Sequence, residues 1–287
     1  MSFLTSGLVT TSGGVVFGAA LAAGTDWSLA PLQEPGDELK AQGFQLAANI
    51  ARELSTLAVD RAYAPSPVKF NGTILQPDEL NKAIRIGDMI GSPLILYRNR
   101  DKPADGTFLI GARDAGIFSV GGCPVIVATC GEHLVFAHAG RDCLLDRQRV
   151  LTNGKEKGRP HESVVNAVVS ALLKKSRMDT DIKNICVHVF FSIRPEDFYH
   201  PFEHPNTNSG VYNRALATYA RRNYDGTCII HDRQGIYLDL PPIIAHQFRQ
   251  LGVRSVNLDS AYLPTSASHT RNGDGKGRHL AMIVRYQ

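Results

Sequence analysis

Apolar residues in this chain occur either in short runs, as in buried strands, or at every third or fourth position, as in amphipathic helices. Glycine, proline and asparagine residues typical of turns separate these segments. Residues 1–24 are predicted to form an edge strand, a glycine turn and a loop. The short runs predict strands over 94–97, 107–110, 124–129, 134–138, 185–192, 227–231 and 255–258. The helical spacing predicts helices over 37–58, 163–175, 211–222 and 242–251.

The runs 124–129 and 134–138 are separated by a Gly-Glu pair that is typical of a tight turn. If this pair closes a two-residue hairpin, Cys130 faces His133 and Val125 faces His138. Because side chains alternate along a strand, Cys123 then lies on the same face as His138, as a diagonal neighbour about 7 Å away. A thiolate and an imidazole at that separation can reach one metal ion.

The simpler interpretation is that Cys123 is a small buried hydrophobic residue and that His138 is a core histidine with its hydrogen bonds satisfied. Two features favour a site. His138 ends an apolar strand, and the small residues Ala139 and Gly140 follow it. They leave space beside the imidazole in which a ligand can bind.

The segments GGCPVIVA (121–128) and AHAG (137–140) resemble the paired ADCxPVLLA and AHAGWRG motifs of the laccase-domain family. This family is also called multicopper polyphenol oxidase, peptidoglycan editing factor or purine nucleoside phosphorylase. Three weaker matches follow in the family's order. They are 12–15 to its TRxGGVS turn, 104–106 to its ADA motif, and 268–273 with 277–278 to its SxRRDG and TGR motifs.

The resemblance implies an α/β fold: one domain over residues 1–287, with a central mixed β-sheet flanked by helices. It also implies a zinc site made of His, Cys and His, and chemistry on purine nucleosides. The expected reactions are phosphorolysis of adenosine and inosine and deamination of adenosine. Copper is the alternative metal, because one thiolate with imidazoles suits either ion. Cys123 and His138 match the motif residues that would be both catalytic and metal-binding.

The chain also departs from the family at the expected metal site. The family's first histidine lies in a QVHG motif, and the best counterpart, DMIG (88–91), has Ile90 at that position. No histidine precedes His133 in the sequence. Because a catalytic zinc ion normally has three protein ligands, a third ligand is needed beside Cys123 and His138. Cys143 and His269 are the candidates. Two further departures are Gly122 for the family's Asp and RDC (141–143) for its Trp-Arg-Gly.

A basic, glycine-rich stretch precedes the end of the chain. Within HTRNGDGKGR (269–278), the cations Arg271, Lys276 and Arg278 lie among three glycines. Cationic side chains and exposed backbone amides can converge on an anion. If the resemblance holds, this loop is the candidate phosphate-binding segment. The alternative is a basic surface turn. It is not a Walker A loop, since glycine follows the lysine where that motif has serine or threonine.

Composition narrows the class of protein further. The 287 residues are 43% hydrophobic, which is enough for a sizeable core. The net charge of +4 is mild and gives no case for nucleic acid or a membrane surface as partner. Five cysteines without a framework-like spacing fit a reducing compartment. No apolar run approaches the roughly 18–20 residues of a membrane span, so we expect a soluble, cytoplasmic protein.

Three functions follow from these observations. The first is a purine nucleoside-processing zinc enzyme that binds a small nucleoside and phosphate. The second is a non-catalytic descendant that retains the fold as a binding or structural protein, as the departures at Ile90 and Gly122 suggest. The third is an enzyme of different specificity, either a polyphenol oxidase or an amidase in cell-wall chemistry. The sequence does not indicate an oligomeric state.

Overall fold

The computed structural model describes thirteen segments of the chain. They are residues 3–11, 14–21, 27–32, 41–67, 72–81, 83–85, 91, 93–154, 163–176, 182–224, 229–259, 262–263 and 278–286.

Strands and helices alternate along the described segments. The strands are β1 (Phe3–Thr11), β2 (Gly14–Leu21), β3 (Arg61–Tyr63), β4 (Ile74–Leu75), β5 (Ala83–Ile84), β6 (Ile95–Tyr97), β7 (Gly106–Leu109), β8 (Asp114–Val120), β9 (Val125–Cys130), β10 (His133–His138), β11 (Cys186–Phe190), β12 (Tyr199–Pro201), β13 (Ile229–His231), β14 (Gly235–Leu238), β15 (Ser255–Leu258) and β16 (His279–Arg285). The helices are α1 (Ala41–Thr56), α2 (Arg141–Leu144), α3 (Arg147–Leu151), α4 (Val164–Ser176), α5 (Thr207–Asn223) and α6 (Leu240–Gln250).

These strands form two large sheets and a small one. The larger sheet has the order β1-β2-β16-β8-β3-β6-β5, the second β15-β11-β9-β10-β7-β4, and the small sheet β12-β14-β13. Both large sheets are mixed, because β3 runs parallel to β6 and β8, and β11 runs parallel to β15. The mixed α/β fold expected from the family resemblance is therefore confirmed, with its strands divided between two large sheets.

The hairpin predicted from the hydrophobic pattern has the predicted register. β9 and β10 pair with Cys130 opposite His133 and Val125 opposite His138. The predicted strand 255–258 coincides with β15, and the helix predicted over 163–175 is α4. One local prediction was wrong: the residues after the first glycine turn form a second strand, β2, rather than a loop. This strand is held on both sides by β1 and β16.

The elements are stacked in four layers. Helix α1 packs through residues such as Leu46 and Ile50 on one face of the larger sheet. The other face of that sheet meets the second sheet, with Phe118 and Ile283 packed against Phe136. Helices α4, α5 and α6 cover the far face of the second sheet. The chain crosses from the larger sheet to the second between β8 and β9, and this crossover contains Cys123.

None of the helices in the described segments has the length and the apolar character that a membrane crossing requires.

The contact between the two large sheets leads to a stability prediction. Gly18 of β2 lies so close to Phe190 of β11 that a β-carbon on Gly18 would be 2.7 Å from two ring carbons. Its strand partner Gly7 leaves 3.8 Å to the same ring. We therefore expect Gly18→Ala to lower the free energy of unfolding by about 1–3 kcal/mol through overpacking. Gly7→Ala is the matched control and should change it by less than about 0.5 kcal/mol. Equal values for the two variants in urea denaturation would contradict this packing.

Candidate functional site

Three side chains meet where β7 begins and β10 ends. Ala137 of β10 pairs with Gly106 of β7, which places Asp105 beside His138, the last residue of β10. The His138 N–H donates to the Asp105 carbonyl oxygen at 2.7 Å. After Gly140 the chain turns into the short helix α2, whose first turn brings Cys143 back to the imidazole. The site therefore combines a strand start, a strand end and a helix.

The donor atoms of these three residues lie close together in the protein interior. Cys143 Sγ is 3.2 Å from Asp105 Oδ1 and 3.5 Å from His138 Nδ1, and Nδ1 is 3.7 Å from Oδ1. All three residues are buried, with at most 5% of the residue surface exposed. The second carboxylate oxygen, Asp105 Oδ2, accepts a hydrogen bond from the backbone N–H of Gly72 at 2.6 Å. We call this group, Asp105, His138 and Cys143, the inner triad.

The inner triad could hold a metal ion. Zinc bonds of about 2.0–2.3 Å at tetrahedral angles place the ligand atoms about 3.3–3.6 Å apart, which is close to the three observed distances. Thiolate, imidazole and carboxylate are all zinc ligands. A blue-copper site would have two histidines with the cysteine, so the carboxylate fits zinc better than copper.

The protonation of the inner triad follows from its burial. Burial raises the pKa of the Cys143 thiol to about 12, so without a metal the S–H donates to Asp105 Oδ1 at 3.2 Å. Burial alone lowers the pKa of His138, but the sulfur atoms of Cys143 and Cys123 and the hydrogen bond to Asp105 raise it by more. Its pKa lies well above the usual value of 6.5. A bound metal ion would replace protons at these positions.

Cys123 lies near another edge of the same imidazole. A β-carbon placed on Gly140 would lie 2.9 Å from His138 Cε1 and 3.3 Å from both His138 Nε2 and Cys123 Sγ, so Cys123 lies near the Cε1–Nε2 edge of the ring. Cys143, in contrast, contacts Nδ1. A metal ion bound at Nδ1 with Cys143 is therefore a different ion from one bound at Nε2 with Cys123. The two cysteines predicted as ligands therefore lie near different edges of one ring.

Cys123 also faces a cavity of about 390 Å³. The size is in the range of small-molecule sites. Three aromatic residues, Phe198, Tyr199 and Tyr212, contribute to its wall. The other lining residues are polar or small: Gly140, Arg141, Asp142, Arg147, His200, Pro201, His204, Ser209 and Asn213.

The position of Arg141 at this cavity is fixed by several contacts. Its Nε and Nη2 donate to the two oxygens of Asp142 at 2.7 and 3.2 Å, and its Nη1 donates to His200 Nδ1 at 3.1 Å. The guanidinium also lies over the ring of Tyr212, at 4.9 Å from the centroid. Burial and Arg141 together lower the pKa of His200 to about 3, so this histidine is neutral.

Part of the predicted site lies outside the described residues. Those positions are Ile90, His269, Arg271 and Lys276. Arg278 is described and immediately precedes β16, where His279 pairs with Val120, three residues before Cys123. The basic loop therefore ends next to the crossover that contains Cys123.

Sequence reasoning brought together Cys123, His138 and Cys143 but did not include Asp105 among the candidate ligands. The match of residues 104–106 to the family's ADA motif is the sequence feature that could have identified Asp105 as a candidate. The cavity residues His200 and Arg147 were also missed. His200 and His204 have the spacing of a zinc-binding helix, but Pro201 between them argues against a helix, and His200 lies in β12.

No protein-family model matches the sequence, and neither does any curated protein.

Solved structures show clear similarity over nearly the whole chain. YlmD from Geobacillus stearothermophilus is 14% identical, with 96% of this chain and 93% of that chain covered and a TM-score of 0.57. YfiH from Bacillus licheniformis is 13% identical, with 94% and 92% covered and a TM-score of 0.58. Protein NMB0706 from Neisseria meningitidis, assigned to the domain family DUF152, is 13% identical, with both chains fully covered and a TM-score of 0.54. The chain therefore has the fold of the YlmD and YfiH proteins, which is the laccase-domain fold that its motifs led us to expect.

Proposed function

We propose that this protein is a divergent laccase-domain enzyme that binds one zinc ion and processes a purine nucleoside, by phosphorolysis or deamination, in the cavity beside Cys123. The observation that carries the proposal is the inner triad, in which three zinc-binding side chains lie 3.2–3.7 Å apart. The fold shared with YlmD and YfiH supports the family resemblance from which the nucleoside chemistry is taken.

Asp105, His138 and Cys143 would hold the zinc ion. When bound, zinc supplies a positive charge that neutralises the buried carboxylate and thiolate and draws electron density from the imidazole. With zinc on Nδ1, Nε2 of His138 would carry the ring proton, on the edge of the ring near Gly140 and Cys123. The chain thus presents a hydrogen-bond donor and a thiol next to the cavity.

A donor at this place suits both proposed reactions. Phosphorolysis releases the purine as a leaving group and deamination releases ammonia, so each requires a proton near the base. We assign this role to His138, with Cys123 beside it, and we assign purine stacking to Phe198 and Tyr199. Phosphorolysis also requires an anion clamp. Arg271, Lys276 and Arg278 are the proposed clamp, supported by the position of Arg278 next to the crossover.

One alternative function has a specific observation in its favour. In space, the side chains of Cys123, His138 and Asp105 are arranged like a thiol nucleophile, a base and a carboxylate that orients the base. This arrangement suits the hydrolysis of an amide by a cysteine nucleophile, a reaction that needs no metal ion. Phenol oxidation is a weaker candidate, because Asp105 replaces the second histidine that copper sites of this kind use. Metal content separates the nucleoside proposal from the amide alternative.

The ligand assignment leads to a prediction about metal content. We expect the wild-type protein to contain about one equivalent of zinc by elemental analysis, and Asp105→Asn and Cys143→Ala to lose most of it. Cys123→Ala should keep its zinc, because Cys123 lies on the Nε2 side of the imidazole, but should lower adenosine or inosine turnover by about 10²-fold or more. Cys186→Ala is the control thiol and should change neither quantity.

Two results would contradict this account. Zinc that is lost in Cys123→Ala but kept in Cys143→Ala would place the ion at Nε2 and overturn the ligand set. A wild-type protein that turns over neither nucleoside, with or without added zinc and phosphate, would overturn the proposed reaction. In that case the fold would serve binding or structure.

The protonation of the inner triad leads to a prediction about pH. Zinc must displace the Cys143 proton at any pH below about 12, and it must also displace the Nδ1 proton below the raised pKa of His138. Each displaced proton changes the affinity about tenfold per pH unit. We therefore expect zinc affinity to rise about tenfold per unit above the pKa of His138 and about a hundredfold per unit below it. Competition with a chromophoric chelator measures this slope. An affinity that does not change between pH 6 and 9 would contradict the ligand set.

A further inference from the structure

The crossover that carries Cys123 from the larger sheet to the second contains a glycine turn. Gly122, directly before Cys123, has a φ of +122°, a conformation that residues with a side chain rarely adopt. Glycine also has the greatest backbone freedom of all residues. A contact from outside the crossover is therefore needed to hold this turn in one conformation.

Ile193 makes this contact. A β-carbon on Gly122 would overlap with Ile193 Cγ2 and would lie 3.2 Å from Ile193 Cδ1, so the side chain of Ile193 fills the space beside the glycine. The N–H of Ile193 also donates to the carbonyl oxygen of Gly122, at 3.2 Å. Ile193 is 4% exposed and packs in the core between the two large sheets. One buried residue thus restrains the turn through its side chain and through its backbone.

Ile193 is itself held in place by the residues before it. Phe190, the last residue of β11, is still paired with β9. Phe191 is buried and turns the chain with a φ of +60°, which a bulky residue keeps only where its surroundings enforce it. The next carbonyl oxygen, that of Ser192, accepts a hydrogen bond from the N–H of Leu263 at 2.6 Å. The segment that brings Ile193 to the glycine turn is therefore fixed by its own contacts.

Cys123 lies between two restraints. On its far side, the carbonyl oxygen of Pro124 accepts a hydrogen bond from the N–H of Ala139 at 2.9 Å, which ties the crossover to the end of β10. On its near side, the contact between Ile193 and the glycine turn has the same effect. Between them, the thiol of Cys123 lies near the Cε1–Nε2 edge of the His138 ring and in the cavity wall. Loss of either contact would free the thiol to move relative to the imidazole.

We propose that Ile193 is a positioning residue of the candidate site, which holds the glycine turn so that the Cys123 thiol stays beside the His138 imidazole. Ile193 is not among the described residues that line the cavity, so it acts through Cys123 rather than on a ligand. This inference deepens the proposed function and rests on it for the reaction that the thiol serves. The placement of the thiol itself requires neither zinc nor turnover.

Alkylation of the native protein with iodoacetamide tests the position of the thiol, with each modified cysteine located by peptide mass spectrometry. Cys123 is only partly exposed, so loosening of the glycine turn makes its thiol more accessible. Ile193→Leu keeps the number of side-chain atoms but removes the branch at the β-carbon that meets Gly122. We expect it to raise the alkylation rate of Cys123 about tenfold through local opening of the crossover. Ile193→Val retains that branch and should react at the wild-type rate.

Ile283→Leu is the matched control. It makes the same change at a buried isoleucine of the same core, which lies opposite Gly116 of β8 rather than at the crossover. It should therefore leave the alkylation rate of Cys123 unchanged. Cys186, which is also partly exposed, is the internal reference in every sample.

Steady-state kinetics with adenosine or inosine give a second readout. Ile193→Leu should lower kcat about tenfold, because a misplaced group slows the chemical step, and should leave KM unchanged, because the cavity wall is intact. The proposal is overturned if Cys123 of Ile193→Leu is alkylated at the wild-type rate, or if Ile283→Leu raises that rate as much. A wild-type protein without nucleoside turnover contradicts the proposed reaction, whereas the alkylation rates still decide the role of Ile193.

Discussion

The buried carboxylate of Asp105 is the constraint on which the candidate site depends. A charge without solvent must be paired or hydrogen-bonded, and this one contacts the Gly72 N–H, the Cys143 thiol and His138. These contacts hold Nδ1 of the imidazole inward. The Cε1–Nε2 edge of the ring lies toward Gly140 and Cys123. In the proposed site, this buried acid thus leaves the Nδ1 side of His138 to the metal ion and the other edge of the ring to the chemistry.

The sequence was most informative where the interactions are local. The alternation of apolar residues and a two-residue turn define the β9–β10 hairpin, and its register follows. The contact between His138 and Asp105 arises from pairing of β10 with β7, which joins residues 33 positions apart, and no local pattern specifies that partner. The same limit applies to the division of the strands between two sheets. The cavity is also non-local, since α2, α3, β12 and α5 all contribute to its wall.

The positions of the substituted residues in the structure explain what the departures from the family motifs change. The chain has no histidine before His133, so a site built from two histidines and a cysteine in the family's order cannot form. Cys143 replaces a glycine of the family motif and lies against Nδ1, beside the carboxylate. Arg141 replaces the tryptophan and orients His200. The residues after AHAG thus alter both the candidate metal ligands and the cavity wall, in a fold that is retained.

The central claim is that zinc is bound on the Nδ1 side of His138, and X-ray absorption spectroscopy of the zinc-loaded protein tests it most directly. The account predicts one sulfur ligand at about 2.3 Å with nitrogen and oxygen ligands at about 2.0–2.2 Å. The sulfur signal should be unchanged in Cys123→Ala and absent in Cys143→Ala. Two sulfur ligands, or a sulfur signal that disappears in Cys123→Ala and persists in Cys143→Ala, would contradict it.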